Sequence, residues 1–258
     1  MDNTCIIGYG MVGSAMAKVF NIGKHFDILP ERSNCTLKEA SKSHLIFVCL
    51  PTPVDRQGNY QLDQIKQIIR QINDFGQGNI FVIRSTVAPG FAMGLQIELG
   101  IDRIISNPEF LSEATAIEDE KNPPFIVVGG AEGRFRSEVI AFYQSRIKSA
   151  NIIETDNTTA EMIKISLNSY FATKVIFANQ LHDYCQLTKA NYQTVKKVLE
   201  SHPFGPKNHF TIWYKGKRGV NGHCLPKDSQ AFANYSSSQL LKKVVELNEN
   251  YIHQRGEE

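Results

Sequence analysis

The sequence predicts an α/β fold, a doubly wound parallel sheet followed by an all-helical domain. Three observations predict it: a glycine-rich turn directly behind the first apolar segment, short apolar runs that each end in turn residues up to about residue 155, and an uninterrupted helical stretch from Thr159 to Leu187. Runs that are apolar throughout, rather than alternating, are what parallel strands covered on both faces require. The domain boundary is expected at 156/157, giving residues 1–156 to the sheet and 157–258 to the helices. A chain of 258 residues, 42% apolar and 21% charged, can build one sizeable domain and a smaller one. A net charge of +2 gives no electrostatic case for nucleic acid or a membrane surface as the main partner. With no membrane-length apolar run and no signal peptide before the first strand, a cytoplasmic location is expected. The cysteines at 5, 35, 49, 185 and 224 are odd in number and lack metal-type spacing, so a reducing compartment and no metal site are expected.

Thr4–Ile7 reads as a strand and runs into Gly8-Tyr9-Gly10-Met11-Val12-Gly13, after which a helical pattern continues to Phe20. Gly8 permits the tight turn, Gly10 lets a pyrophosphate approach the backbone, and Gly13 lets the helix lie close on the strand. In this setting the motif is the Rossmann dinucleotide fingerprint, and its six residues are candidates for cofactor binding. The acid that holds the adenosine ribose falls roughly 20 residues past the glycines. Asp27 and Glu31 both qualify, the spacing favours Glu31, and Arg32 beside it could instead accept a 2′-phosphate. The reading favours NAD and leaves NADP open. His44–Leu50 is the next strand, stopped by Pro51-Thr52-Pro53 at the carboxyl end, where an α/β sheet keeps its ligand crevice. Pro51 and Thr52 therefore join the cofactor candidates. Leu62–Phe75 has helical spacing, and Asn79–Arg84 is a strand ending in Ser85-Thr86-Val87-Ala88-Pro89-Gly90, which adds Thr86. Ile101–Ile105 leads into Asn107-Pro108-Glu109-Phe110-Leu111-Ser112-Glu113, and Pro124–Gly130 reads as one more strand.

Beyond Asp156 the composition changes. Thr159–Leu187 contains no proline or glycine, and Lys164, Asn168, Ala172 and Asn179 can share one helix face, either a solvent face or a site wall. Lys189–His202 and Ser238–Tyr251 read as further helices. Between them stands Gly219-Val220-Asn221-Gly222-His223-Cys224-Leu225-Pro226-Lys227-Asp228. Pro226 suits the first turn of a helix, which places Cys224 at or just before the N-terminus. There the helix dipole favours the thiolate. Asp228 lies about one turn further on. Two readings are open on this segment alone, a catalytic thiol and a buried structural cysteine at an ordinary helix start. His223 makes a poor dyad partner, because adjacent side chains point apart.

Six segments together carry a resemblance: GYGMVG at 8–13, VCLPTP at 48–53, RSTVAPG at 84–90, NPEFLSEATA at 107–116, AEMIKISLNSYFATKVIFANQ at 160–180 and GVNGHCLPKD at 219–228. In order and spacing the chain resembles the nucleotide-sugar 6-dehydrogenases, the UDP-glucose and GDP-mannose dehydrogenase family. The resemblance implies an NAD-binding Rossmann domain, a helical central domain that makes a homodimer, and a nucleotide-sugar substrate. It also implies oxidation of the sugar C6 alcohol to the uronate in two hydride transfers, through a thiohemiacetal and a thioester on Cys224. By the same resemblance Lys164 and Asp228 match the base and water-holding network, Asn168 the oxyanion amide, and Glu109 the carboxylate of the hydrolytic step. Glu113 matches a residue beside cofactor and substrate, while Phe110, Leu111, Lys215, Gly219 and Gly222 match substrate-loop positions.

Two departures stand out. Asn221 replaces a glycine in the usual Gly-x-Gly-Gly turn, so the substrate loop can differ there, although Asn tolerates a positive φ better than most residues and need not break the turn. Full family members continue into a second Rossmann-like domain that holds the nucleotide, whereas this sequence stops at Glu258, so weak substrate binding is expected unless a second chain supplies the cap. Two alternatives stay open: a two-electron hydroxyacid dehydrogenase of the 6-phosphogluconate-dehydrogenase-like group, in which the thiol has no task, and a non-catalytic binding or assembly remnant. The joint presence of Cys224, Lys164, Asn168, Glu109 and Asp228 speaks against the remnant.

Overall fold

In the computed structural model, which describes residues 3–76, 78–148 and 151–254, the apolar runs of the N-terminal half become parallel strands. β1 (Thr4–Ile7), β2 (His25–Phe26), β3 (Leu45–Val48), β4 (Ile80–Ile83) and β5 (Ile104–Ser106) pair in the order β2-β1-β3-β4-β5. The register sets Ile6 beside Phe47 and Phe47 beside Val82. Because alternate side chains point to opposite faces, the sheet has two cores. Ile6, Phe47 and Val82 pack with Met16 of α1 (Met11–Phe20) and with Phe142 and Tyr143 of α6 (Arg134–Gln144). Cys5, Ile7, Ile46, Val48, Phe81 and Ile83 pack with Ile65, Ile69 and Ile72 of α3 (Asp63–Asn73) and Leu95 of α4 (Phe91–Leu99). Burial on both faces is the reason these strands show no polar alternation. The strand order reverses between β1 and β3, where a doubly wound sheet opens its crevice.

Short helices α2 (Leu37–Ala40) and α5 (Ala116–Lys121) complete the connections, and β6 (Phe125–Val128) pairs in parallel with β7 (Asn151–Glu154). Gly129 N donates to Ser106 O (2.7 Å) and Asn107 Nδ2 to Val127 O (2.7 Å), which ties β6 to the end of β5. β7 has only two apolar residues and is largely exposed, so no apolar run announces it.

The remaining helices are α7 (Asn157–Thr188), α8 (Tyr192–Ser201), α9 (Leu225–Ser236) and α10 (Gln239–Tyr251). Two compact units result, Met1–Pro53 with Tyr60–Lys164, and Val54–Asn59 with Ile165–Glu258. The division thus falls inside α7, later than the expected 156/157, because the first turns of this helix are bonded to the sheet. Asn157 Oδ1 accepts from Ser106 N (2.7 Å) and its Nδ2 donates to Ile104 O (3.0 Å). Glu161 accepts from Gly90 N (2.6 Å), Ala92 N (3.0 Å) and Ser106 Oγ (2.8 Å), capping the amides that open α4.

The second unit has two apolar centres, one around Ala172, Ile176, Val220, Val244 and Tyr251, the other around Ala178, Cys185, Tyr192, Phe210 and Ile212. Side chains of Asn191 and Ser238 cap α8 and α10. The 54–59 loop joins this unit through Asn234 Nδ2 donating to Asn59 Oδ1 (2.7 Å). Lys164, Asn168, Ala172 and Asn179 are all buried on α7, so this stripe is an interior wall and not a solvent face. Among the described residues no helix is long and apolar enough to cross a membrane.

Candidate active site

In the first unit the glycine turn follows β1 directly. Gly8 has φ +92°, and a Cβ there would lie 2.6 Å from Cys49 O; a Cβ on Gly13 would lie 2.0 Å from Gly8 O. Both glycines are required by packing. Gly10, the N-cap of α1, faces open space with nothing within 4 Å of a notional Cβ. An open helix N-terminus with backbone amides exposed is a cradle for a pyrophosphate, so the residues present fit a dinucleotide. Met11 is exposed and Val12 half-buried in the first turn of α1; Pro51 and Thr52 follow β3, and Thr86 follows β4, with both threonines buried.

Counting from the glycines favours Glu31 as the ribose acid, but β2 spans only His25–Phe26, and Asp27 is the residue that follows it directly. Asp27 Oδ2 accepts from Tyr9 N (2.7 Å) and Oδ1 from Leu29 N (3.0 Å), while the Tyr9 ring stacks on His25 at 3.8 Å. Glu31 lies further on, exposed, in a 3-10 turn over Pro30–Arg32. The carboxylate fixed beneath the glycine turn is Asp27.

Beyond β5, Glu109 and Lys164 form a buried ion pair, Nζ to Oε1 3.0 Å. Glu109 Oε2 also accepts from Leu111 N (2.6 Å), and Lys164 Nζ stands 5.4 Å from the Phe110 ring centre. A cavity of about 230 Å³ is lined by Glu109, Phe110 and Leu111 together with Arg84, Glu120 and Tyr143. Arg84 Nη2 bonds Glu120 Oε2 (2.6 Å), and its Nη1 bonds Asn107 Oδ1 (3.0 Å) and Tyr143 Oη (2.8 Å). Burial pushes the Glu120 carboxyl above its ordinary range against the pull of Arg84. Burial likewise raises the Glu161 carboxyl, although the hydrogen bonds it accepts from Ala92, Ser106 and Gly90 oppose it. Sequence reasoning missed Glu120, Tyr143 and Glu161, whose partners are tens of residues away. Glu113 is exposed.

In the second unit Cys224 is the N-cap residue of α9, half-buried, with Pro226 in the first turn; its side chain does not cap the helix. Asp228 is fully buried one turn on. Its Oδ2 accepts from Asn168 Nδ2 (2.6 Å) and its Oδ1 from Lys227 Nζ (2.5 Å). Lys227 was not singled out from the sequence, although it adjoins the acid. The left-handed positions of the loop are Gly219 (φ +76°) and Gly222 (φ +86°), and Asn221 is not among the residues with positive φ. Asn221 instead donates from Nδ2 to Arg218 O (2.7 Å) and Gly219 O (2.9 Å), so the residue standing for a glycine staples the turn. Lys215 has φ +52° in an exposed turn closed by Tyr214 and Lys217. His223 is exposed.

Residues 31–147 match the profile of the UDP-glucose/GDP-mannose dehydrogenase family, NAD binding domain, and residues 158–250 match the central domain of the same family. Similar curated sequences include GDP-mannose 6-dehydrogenase of Pseudomonas savastanoi pv. phaseolicola, 31% identical over 81% of this chain and 51% of that one. UDP-glucose 6-dehydrogenase of Rhizobium meliloti is 30% identical over 81% and 50%. The chain spans about half the length of these relatives. Among solved structures, a UDP-glucose dehydrogenase from Pyrobaculum islandicum shares the fold at TM-score 0.86 and 23% identity, covering 96% of this chain and 68% of that one. A ternary complex of GDP-mannose dehydrogenase from Pseudomonas aeruginosa matches at TM-score 0.70 and 26% identity, again over 96% and 68%. Two domain profiles of one family are thus met in order over most of the sequence, and the chain belongs to the UDP-glucose/GDP-mannose dehydrogenase family.

Proposed function

We propose that the protein is an NAD-dependent nucleotide-sugar 6-dehydrogenase that takes the C6 alcohol of a nucleotide-linked hexose to the uronate in two oxidations. The observation that carries this reading is Cys224 at the N-terminus of α9, one turn before a fully buried Asp228 bonded to Asn168. The positive end of the helix favours the thiolate. A thiol suits an aldehyde that is to be oxidised again in place, because it is both a strong nucleophile and a competent leaving group.

NAD, when bound, supplies the hydride acceptor for each oxidation. The open N-terminus of α1 at Gly10 suits its pyrophosphate, and Asp27 takes the adenosine ribose. The alcohol first loses a hydride and a proton. Cys224 Sγ adds to the aldehyde carbon, and the thiohemiacetal loses a second hydride and a proton to become a thioester. Water adds to the thioester carbon, the C–S bond breaks, and the thiolate returns as the uronate leaves. With one amide N–H committed to Asp228, Asn168 presents the other to the oxyanion. Glu109, paired with Lys164, takes the proton of the hydrolytic water, while Lys164 and Asp228 serve the proton transfers of the alcohol oxidation. Phe110, Leu111, Lys215, Gly219 and Gly222 are assigned to the substrate.

The reading extends to assembly. α7 leaves Tyr170, Phe177 and Tyr184 exposed at seven-residue intervals, with Leu187 exposed one turn beyond. Such a stripe matches a second copy of itself across a two-fold axis, and a homodimer through α7 follows. Purified protein supplied with NAD and UDP-glucose, GDP-mannose or a UDP-N-acetylhexosamine is expected to release free uronate from one of them. Cys224→Ser should lower that release at least about 10³-fold, since the hydroxyl is a poorer nucleophile and leaving group. Undiminished release from the serine variant would remove the thiol from the reaction.

A further inference from the structure

One helix holds the cysteine segment at two points. Asn168 of α7 bonds Asp228, four residues after Cys224; three turns further along the same helix, Asn179 and Asp183 bond Arg218, six residues before it. The two anchor points lie roughly 16 Å apart along α7 at the ordinary rise of a helix.

Arg218 is only 6% exposed. Its Nε donates to Asn179 Oδ1 (2.9 Å), its Nη2 to Asn179 O (3.1 Å) and Asp183 Oδ1 (2.6 Å), and its Nη1 to Gln254 Oε1 (2.9 Å). The guanidinium carbon lies 4.6 Å from the Tyr251 ring centre, and Tyr251 Oη donates to Asp183 Oδ2 (3.0 Å). The chain running from Arg218 toward the cysteine is gripped in turn. Val220 N donates to Asn248 Oδ1 (2.6 Å), Asn248 Nδ2 donates to Val220 O (3.2 Å), and Asn221 closes on Arg218 O and Gly219 O. The fit is close: a Cβ on Gly219 would stand 2.6 Å from Asn248 Oδ1 and 2.9 Å from Tyr251 Cβ.

A cation taken out of water gains little stability over a well-packed apolar side chain of similar volume, but its fixed fork of donors dictates one geometry. Resting on the reading of Cys224 as the nucleophile, we propose that Arg218 is a positioning residue for it. With Asn179 and Asp183 it fixes the leading end of the cysteine segment to α7, as Asn168 fixes the trailing end through Asp228. Lysine cannot reproduce this, because an ammonium is a point charge without the planar fork.

The test compares wild type with Arg218→Met and Arg218→Lys by two readouts. The rate at which iodoacetamide alkylates Cys224, followed by peptide mass spectrometry on the folded protein, needs no substrate. Steady-state turnover separates kcat from KM for NAD, whose cradle lies in the other unit. Arg218→Met is expected to shift the Cys224 alkylation rate several-fold while leaving Cys185 unchanged, and to lower kcat by roughly 10², the usual loss when a reacting group is misplaced by about 1 Å. KM for NAD should stay put, and Arg218→Lys should recover part of the kcat. A cooperatively melting Arg218→Met with wild-type alkylation and kcat overturns the proposal, as does a fall confined to KM for NAD. Should the methionine variant fail to fold, Arg218→Lys, which keeps the buried charge and loses the fork, decides on the same readouts. If wild type turns over no nucleotide sugar, the dehydrogenase reading fails, while the alkylation rates still decide whether Arg218 positions the cysteine.

Discussion

Asp27 sits where β2 ends, with one oxygen held by the amide of Tyr9 inside the glycine turn. A carboxylate in that place bonds a ribose hydroxyl and repels a 2′-phosphate. Asp27→Ala should therefore weaken NAD binding by about tenfold, the worth of a charge-assisted hydrogen bond, and Glu31→Gln should leave it unchanged. Calorimetry with NAD and NADP reads both, and tighter NADP binding by wild type would move the role to Arg32. Gly8 and Gly13 were legible because each meets a packing need only glycine satisfies, and Gly10 through its place in the motif between them. The place of the ribose acid was not, because a two-residue β2 leaves no mark in the hydropathy and a count from the glycines admits both Asp27 and Glu31. Residue types such as Lys164, Glu109, Asn168 and Asp228 were legible through the motifs that carry them. Their pairing was not, since Lys164 with Glu109 and Asn168 with Asp228 are joined by the fold across 55 and 60 positions.

At the scale of elements, α7 shows why a boundary read from periodicity drifts. The helix opens at Asn157, not Thr159, because Asp156 caps it, accepting from Thr159 N (2.9 Å) and Thr159 Oγ1 (2.6 Å). These bonds, the hydroxyl first, hold the Asp156 carboxyl below its usual range. A depressed folded value means stabilisation that is fully present above the ordinary carboxylate pKa of about 3.9 and is lost as pH falls through the folded value. Asp156→Ala should cost about 1 kcal/mol at pH 7, and the difference from wild type should shrink as pH drops below about 4. Thermal melts at neutral and acid pH measure it; an equal deficit at both would mean the carboxylate does not cap. The helix itself was legible from its length without proline or glycine; that Lys164, Asn168, Ala172 and Asn179 are buried and not on a solvent face was not, because a polar stripe fits either. Its division between two units was not, because Asn157 and Glu161 reach backbone groups of β5 and α4 that no local pattern points to. β7 was lost for a related reason: its register comes from β6 and not from its own residues.

At the scale of the whole molecule, the exposed Tyr170, Phe177 and Tyr184 of α7 ask for a partner. Sedimentation of the wild type is expected to give a dimer, and Phe177→Glu, which sets two charges against each other across a two-fold axis, a monomer. A monomeric wild type at micromolar concentration would contradict the assembly. Order and class of the elements were legible through the first β-α-β unit and the long helix, since a parallel sheet buried on both faces has few arrangements. The central claim concerns what the thiol adds to an NAD-binding fold, and counting NADH tests it most directly. A measured amount of the nucleotide sugar that the protein accepts is run to completion with excess NAD, and NADH is compared with sugar consumed. Two NADH per sugar with free uronate as product is the expected result, and one NADH per sugar with the reaction ending at the first oxidation would contradict it.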